Sequence, residues 1–254
     1  MQLEIKNLSF SYHKHKVLEE VSFSAQEGDF ICVLGENGAG KSTLLSCICR
    51  LLKAKDGDVL IDNRAVSMYG NKEFARIVSF VPQNYNPVYE CTVTDFLFMG
   101  RNPYKKLFHD LSSNDKKVVS EMLTSFSMEE FAHRSMSQLS GGERKKILLM
   151  RALVQEPDII VLDEPTNQLD FGMRVQFMNI LKRLADDGKI IIMTTHLPDD
   201  AINYSSKTVV VSGKRAAVYT KDELKTDVLE KLYSLKLEML HGKTIDKMAC
   251  IASE

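Results

Sequence analysis

The chain has 254 residues, 44% of them hydrophobic, so it is long enough to bury a sizeable core. Its 33 Lys and Arg nearly balance its 34 Asp and Glu, and the net charge of -1 does not favour nucleic acid or an anionic membrane as a partner. No apolar run approaches the ~20 residues that span a bilayer, and residues 1–7 lack the apolar stretch of a signal peptide. We therefore expect any membrane role to come through another polypeptide.

The first predicted strands lie near the N-terminus. Residues 3–10 mix apolar and polar side chains, and residues 21–25 alternate more strictly, as strands of a half-exposed sheet do. A third, wholly apolar run from Phe30 to Leu34 leads into a glycine-rich loop, and a helical pattern follows that loop. The apolar residues on one side of this helix are Leu44, Leu45, Ile48, Leu51 and Leu52.

The glycine-rich loop matches the pattern G-x-x-x-x-G-K-[ST] in this strand–loop–helix context. Its residues are Gly35, Glu36, Asn37, Gly38, Ala39, Gly40, Lys41, Ser42 and Thr43. Glycines let successive backbone N–H groups point at anionic oxygens, and the new helix adds the positive end of its dipole. Lys41 supplies a charge for the β- and γ-phosphates, and the Ser42 hydroxyl can ligate Mg²⁺. The sequence therefore predicts that the chain binds a nucleoside triphosphate.

Tyr12 lies upstream of this loop, between the first two predicted strands. An aromatic side chain there could stack on an adenine ring, or it could be a packing residue of an edge strand. The local sequence leaves both interpretations open.

The five cysteines have no spacing typical of a metal site. Cys32 lies in a predicted strand, and Cys47 and Cys49 lie on the helix after the loop. We therefore expect buried free thiols in a reducing cytosol, with metal or redox chemistry as the alternative.

The middle of the chain changes from strands to helices. Residues 58–61 and 78–81 are predicted strands, and Pro82 ends the second, so that Gln83 follows at its exit. From about Tyr85 to Gln138 the pattern is helical, with no convincing strand. Ser113 is predicted to cap a helix within this segment, which we interpret as a subdomain inserted between strands of the main sheet.

A helix start with two glycines follows at residues 139–143. Ser140 and Glu143 have the spacing of a capping box. Gly141 and Gly142 occupy the first two helical positions, although glycine is a poor helix former and a cap alone does not require it. Bare glycines make sense here if an anionic group must approach the backbone N–H groups.

Two later apolar strands end in polar residues. Residues 159–162 read as a central parallel strand followed by Asp163 and Glu164, at the edge where ligands bind in this architecture. Asp163 is placed to hold the Mg²⁺ shell, and Glu164 could accept a proton from an attacking water. Residues 189–195 lead to His196, which could reach the γ-phosphate, although a lone histidine there is more often structural. A hairpin over residues 208–219 and a helical tail from 221 are predicted after it.

In this order the motifs resemble those of the nucleotide-binding subunit of an ABC transporter, over nearly the whole chain. The resemblance implies one α/β domain over residues 1–254, with a P-loop NTPase core built on a mostly parallel sheet. It also implies an N-terminal antiparallel β subdomain, an inserted helical subdomain over about 85–157 and a C-terminal tail over 221–254.

The resemblance also implies roles for the residues already described. Residues 35–43 look like Walker A, residues 159–163 like Walker B, and Glu164 like the catalytic base beside it. Tyr12 occupies the place of the adenine-stacking aromatic, and Gln83 that of the Q-loop residue that senses Mg²⁺ and water. Residues 139–143 resemble the LSGGQ signature with Glu143 in place of Gln. The D-loop is matched by residues 166–170, which end at Asp170, and the switch histidine by His196.

Two subunits of this family stack head to tail over ATP and Mg²⁺. Ser140, Gly141 and Gly142 would then donate to the γ-phosphate bound by the partner copy, which accounts for the glycines. The partners implied are a second copy, integral-membrane permease subunits and, indirectly, a substrate-binding protein, with no nucleic acid. The chain is expected at the cytoplasmic face of the membrane.

Residues 92–95 and 99–103 resemble the subgroup that imports ferric siderophores, haem and cobalamin. The segment 171–174 and the Leu197-Pro198 pair after His196 depart from that subgroup, so an ABC transporter subunit for another substrate is one alternative. A soluble ABC ATPase of repair or translation is a second, but the single cassette and the absence of sustained heptads before Ser140 argue against it. A binding module without turnover is a further alternative, which the intact Glu164 and His196 disfavour.

Overall fold

The computed structural model of the chain describes residues 1–85, 90–105, 111–241 and 248–252. The strands are β1 (Gln2–Tyr12), β2 (His15–Gln26), β3 (Phe30–Leu34), β4 (Asp56–Ile61), β5 (Arg64–Ala65), β6 (Val78–Val81), β7 (Ile159–Leu162), β8 (Ile190–Thr195), β9 (Lys207–Ser212), β10 (Arg215–Thr220), β11 (Leu237–His241) and β12 (Met248–Ala252). The α-helices are α1 (Lys41–Ile48), α2 (Asn71–Ile77), α3 (Val93–Met99), α4 (Ser113–Ser125), α5 (Gly141–Leu153), α6 (Phe171–Asp186), α7 (Pro198–Tyr204) and α8 (Thr226–Tyr233).

The central sheet has the strand order β10-β9-β3-β8-β7-β6. Neighbours from β9 to β6 run parallel, and β10 pairs antiparallel with β9. Both β3 and β7 are buried along their whole length, as apolar strands covered on both faces are. The predicted mostly parallel sheet is confirmed. Because β3, β8 and β7 are parallel neighbours, their carboxyl ends meet at one edge of the sheet.

The two faces of β3 pack against different parts of the chain. Phe30, Cys32 and Leu34 join a core with residues of α3 to α6. Ile31 and Val33 join a second core with α1 and the N-terminal sheet. That sheet has the order β2-β1-β4-β5 with antiparallel pairs, so the predicted N-terminal antiparallel sheet is also confirmed.

The described residues between β6 and β7 form helices, short 3-10 turns and an isolated bridge between Thr92 and Ser135. The predicted cap of α4 was wrong by one residue, because Ser112, not Ser113, is the N-cap. The Ser112 hydroxyl accepts from the Asp115 N–H at 3.1 Å, and the Asp115 carboxylate accepts from the Ser112 N–H at 3.0 Å. Only a spacing of three residues closes this reciprocal pair.

Two other predictions require correction. Leu51 does not belong to the buried side of α1, because that helix ends at Ile48 and Leu51 is 61% exposed. The left-handed backbone at Arg50 (φ 59°) turns the chain away before the apolar pattern is complete. The predicted helical tail also contains strands, since β11 and β12 follow α8 and pair antiparallel with each other. Residues 242–247 and 253–254 of the predicted tail lie outside the described residues.

The five cysteines are free, but the prediction that they are buried was wrong for Cys91 and Cys250, which are half-buried. Cys32, Cys47 and Cys49 are buried, and burial raises the pKa of the Cys47 thiol to about 11. A thiol with so high a pKa stays protonated at neutral pH and is a poor nucleophile.

Candidate active site

The glycine-rich loop joins β3 to α1 at the carboxyl edge of the central sheet. Gly40 has a left-handed backbone (φ 102°), and a Cβ there would lie 2.9 Å from Val17 and 3.0 Å from Leu18. Gly38 also has a positive φ of 80°, and nothing lies within 4 Å of a Cβ built on it. Gly40 is therefore required by packing and conformation together, and Gly38 leaves the mouth of the loop open.

Lys41 lies across the loop that precedes it. Its ammonium donates to the carbonyl of Gly35 at 2.8 Å and to that of Glu36 at 3.0 Å. The Ala39 N–H closes the turn on the same Glu36 carbonyl at 3.2 Å. Burial lowers the pKa of Lys41, and the carboxylates of Glu164 and Asp163 oppose that effect. The loop thus holds a cation, 5% exposed, beside two acids.

Asp163 follows β7 and forms hydrogen bonds both to α1, next to the loop, and to β8. Its Oδ1 accepts from the Ser42 hydroxyl at 3.1 Å and from the Thr194 hydroxyl at 2.6 Å. Asp163 is 8% exposed. The adjacent hydroxyl and carboxylate oxygens are the hard ligands that Mg²⁺ takes, so the residues present fit this ion.

Glu164 has a left-handed backbone (φ 43°), an uncommon conformation for a non-glycine residue. Its N–H donates to the Thr194 hydroxyl at 2.8 Å, so Thr194 bonds to both members of the acidic pair. This strained turn directs the Glu164 side chain towards the loop cation, and its Oε1 lies 3.9 Å from Lys41 Nζ.

The two carboxylate oxygens of Glu164 have different surroundings. Oε2 accepts from the Gln83 side-chain amide at 2.7 Å and from the Asn167 amide at 3.3 Å. Oε1 lies 4.0 Å from Nδ1 of His196, which is 42% exposed. Amide donors therefore fix one oxygen, and the other faces the Lys41 ammonium and the His196 ring.

A cavity of about 590 Å³ lies among these groups. The predicted site residues that line it are Tyr12, Asn37, Gly38, Gly40, Lys41, Ser42, Thr43, Gln83, Glu164 and His196. His15 and Val17 line it as well and were missed by the sequence analysis, and Asn167, which also lines it, was given no role of its own there. The antiparallel register brings His15 opposite Tyr12, and Asn167 lies within the segment 166–170 that resembles the D-loop.

Tyr12 fits both interpretations that the sequence left open. Its ring makes an edge contact with Phe10, with centroids 4.9 Å apart and planes at 78°. The side chain is nevertheless 48% exposed and lines the cavity. One part of the ring packs, and the rest is available to a ligand.

Ser140 caps α5 as predicted. The Ser140 N–H donates to the Glu143 carboxylate at 2.8 Å, and the Glu143 N–H donates to the Ser140 hydroxyl at 3.3 Å. Gly141 is exposed, with no atom within 4 Å of a Cβ built there, whereas a Cβ at Gly142 would collide with the side chain of Met173.

These residues and Asp170 are absent from the described lining of the cavity. Asp170 instead caps α6 by accepting from the Met173 N–H at 2.9 Å. Within one chain, the described Ser140, Gly141, Gly142 and Asp170 are therefore not brought into the cavity of the glycine-rich loop.

Two contacts to site residues come from side chains that the sequence analysis passed over. The Lys145 ammonium donates to the Gln83 carbonyl at 2.6 Å. The Tyr233 hydroxyl donates to the His196 carbonyl at 2.9 Å. No sequence signal marked either one, because both partners are remote in the chain.

The glycine-rich loop and acidic pair at the edge of a parallel sheet define a P-loop nucleotide-binding protein. The family description "ABC transporter" matches residues 18–167. An uncharacterised ABC transporter ATP-binding protein of Methanocaldococcus jannaschii is 37% identical over 87% of this chain and 85% of its own length. The petrobactin import ATP-binding protein FpuD of Bacillus anthracis is 34% identical over 91% of this chain and 84% of its own.

Solved structures agree with these sequence matches. One, described as a metal-chelate type ABC transporter in an inward-facing conformation, has a TM-score of 0.88 and 27% identity, over 99% of this chain and 97% of that one. The chain belongs to the ABC transporter family, as an ATP-binding and ATP-hydrolysing subunit. The predicted family, fold class and enzyme activity are confirmed. Among the described residues, no helix has the length and apolar character needed to span a bilayer.

Proposed function

We propose that two copies of this chain close head to tail over two ATP molecules and power uptake of a metal-chelate substrate through separate permease subunits. One observation carries this proposal: a single cavity brings together the loop cation and the residues expected to hydrolyse ATP. Lys41 and Glu164 face each other at 3.9 Å there, and Gln83 bonds to Glu164 at 2.7 Å.

The loop from Gly35 to Thr43 would bind the triphosphate, with Lys41 meeting the β- and γ-phosphates. Ser42 and Asp163 would hold Mg²⁺, which supplies charge neutralisation on the phosphate oxygens when bound. Thr194 orients Asp163 for this task through its 2.6 Å hydrogen bond. Tyr12 would stack on the adenine with the part of its ring that Phe10 leaves exposed.

Glu164 would accept a proton from the attacking water. Its Oε2 is already held by the amides of Gln83 and Asn167, so Oε1 is the oxygen available to the water. His196, 4.0 Å from Oε1, would steady the γ-phosphate, and Gln83 would respond to Mg²⁺ and water. Positioning and electrostatic stabilisation then supply most of the catalysis.

A second copy would complete the site. Ser140, Gly141 and Gly142 begin a 13-residue helix whose N-terminal N–H groups can meet an anion. In the head-to-tail pair they would donate to the γ-phosphate held by the partner copy, with Asp170 at the same interface. The open space around Gly141 supports this role, since a phosphate could approach its backbone.

The relatives support the proposed substrate class. The Bacillus anthracis relative is named for petrobactin import, and the structural neighbour is described as a metal-chelate type transporter. Residues 92–95 and 99–103 carry the importer resemblance in this chain. We infer docking on permease subunits at the cytoplasmic face, served by a substrate-binding protein. Co-purification of a many-helix permease with the tagged chain from native membranes tests this inference.

The test of catalysis is Glu164→Gln. Glutamine keeps the shape of the side chain but cannot accept the proton, so we expect ATP binding without hydrolysis. A nucleotide-bound pair should then accumulate on size-exclusion chromatography with Mg-ATP. Lys41→Ala is the companion variant, and it should lose ATP affinity by calorimetric titration. Wild-type turnover in Glu164→Gln would remove Glu164 from this role.

The test of the partner contact is Gly141→Ala. Because the added methyl meets no atom within 4 Å in its own chain and alanine is the better helix former, the melting temperature should not fall. Turnover should fall steeply, since the methyl would stand between the helix N-terminus and the partner's γ-phosphate. Unchanged turnover at saturating ATP would contradict the head-to-tail arrangement.

A further inference from the structure

Lys145 lies on α5, five residues after the Ser140 cap. An α-helix rises about 1.5 Å per residue, so Lys145 lies roughly 7.5 Å along the axis from the cap. The helix continues to Leu153 and carries four consecutive buried residues from Ile147 to Met150. It therefore moves as a unit, and any displacement of its N-terminus carries Lys145 with it.

The Lys145 side chain leaves α5 and bonds to the main chain of Gln83. Its ammonium donates to the Gln83 carbonyl at 2.6 Å, across 62 residues of sequence. Gln83 follows β6 and Pro82, outside any helix or strand. The bond from Lys145 carries a full charge, so it is a strong contact that fixes the main chain at this residue.

Gln83 is held at its other end by Glu164. The Gln83 amide donates to Oε2 of Glu164 at 2.7 Å. One residue thus joins the ammonium on α5 to the carboxylate proposed as the base. The chain of contacts runs from Lys145 Nζ to the Gln83 carbonyl, and from the Gln83 amide to Glu164.

The surroundings of Lys145 make this contact specific. The side chain is partly buried, and its burial lowers the pKa of the ammonium, while the charges of Glu164 and Asp163 raise it. Water competes weakly for a charge in such a place, so the hydrogen bond is not an exchangeable surface contact. Lys146, the next residue, instead lines a separate cavity beside α6.

We propose that Lys145 is a positioning residue that couples the N-terminus of α5 to Glu164 through Gln83. This inference rests on the proposed function, in which the N-terminus of α5 engages the ATP of the partner copy. Engagement there is then transmitted within the chain to the carboxylate that acts on its own ATP. The two ATP sites of the pair communicate through this link, and hydrolysis is cooperative because of it.

The test compares Lys145→Met with Lys145→Arg and with Lys146→Met as the matched control. In Lys145→Met we expect kcat to fall about 10- to 100-fold with KM nearly unchanged, because Glu164 is misplaced while the ATP loop is intact. The Hill coefficient for ATP should fall towards about 1. Arg keeps the donor and should restore most of kcat, and Lys146→Met should behave as wild type.

A double-variant cycle separates coupling from general damage. Lys145 holds the Gln83 main chain, and the Gln83 side chain passes that position on to Glu164. In a Gln83→Ala background, Lys145→Met should therefore lower kcat almost no further. An equal fold-loss in both backgrounds, or a wild-type Hill coefficient in Lys145→Met, would overturn the inference. Either result leaves the proposed function standing if Glu164→Gln is inactive, so the two failures are distinguishable.

Discussion

Arg101→Met is expected to destabilise the fold, because Arg101 is the charged centre of a buried polar cluster. Its side chain is 1% exposed, and Nε donates to Asp115 at 2.8 Å. Nη1 donates to the Val154 carbonyl and to Glu156, each at 2.6 Å. The guanidinium also lies 4.0 Å from the ring centre of Tyr104. One side chain thus ties the end of α3 to α4 and to the end of α5.

The size of the stability loss follows from the carboxylate that Arg101→Met leaves unpaired. The Asp115 carboxylate is 5% exposed and would lose its buried cation. Removing one partner of a buried pair destabilises a protein by about 3–5 kcal/mol. In a domain of this size about 1 kcal/mol moves the melting temperature by roughly 2–4 °C, so a drop of roughly 6–20 °C is expected.

The assay is thermal unfolding followed by circular dichroism, at fixed protein concentration without nucleotide. The control is Lys117→Met, which removes an exposed pair with Glu121 whose side chains are 71% and 66% exposed. Such surface pairs contribute little, so the control should melt with the wild type. A melting temperature for Arg101→Met within about 2 °C of the wild type would refute the reasoning.

Two further predictions concern a buried acid and the adenine contact. Burial disfavours the charged form of Asp29, but hydrogen bonds from Lys207, the Gln26 N–H and Ser206 outweigh it and hold the pKa below 3.8. This stabilisation is present above pH 3.8 and is lost as pH falls through the lower pKa of the folded state. In urea unfolding, the loss of unfolding free energy in Asp29→Asn relative to the wild type should therefore shrink as pH falls through that range. A deficit that is independent of pH would contradict this account. Tyr12→Ala should weaken ATP binding in calorimetry without changing the Mg²⁺ requirement, and intact affinity would reduce Tyr12 to a packing residue of Phe10.

Local spacing made much of the site predictable from sequence. The contacts that define the loop and the α5 cap join residues at most six apart, such as Lys41 to Gly35 and Ser140 to Glu143. The meeting of the loop with Asp163 also followed, because neighbouring parallel strands end at the same edge.

Contacts set by helix packing were not predictable in this way. Lys145 reaches Gln83 across 62 residues, and Tyr233 reaches His196 across 37. Such pairs depend on the angle and depth at which helices pack, which periodicity does not specify. Leu51 shows a related limit, since an apolar pattern continued past the point where the left-handed Arg50 ended the helix.

The far end of the chain is physically attached to the loop that carries His196. Besides the Tyr233 hydroxyl on the His196 carbonyl, the Cys250 N–H donates to the Asp199 carboxylate at 2.8 Å. The segment from His196 into α7 is therefore held from outside the nucleotide-binding core, by α8 and β12. Removing the residues after β10, or fusing a bulky tag to β12, would remove or disturb these contacts and leave His196 less firmly positioned. The rate of ATP hydrolysis measured on such a shortened or tagged protein would therefore differ from that of the full chain.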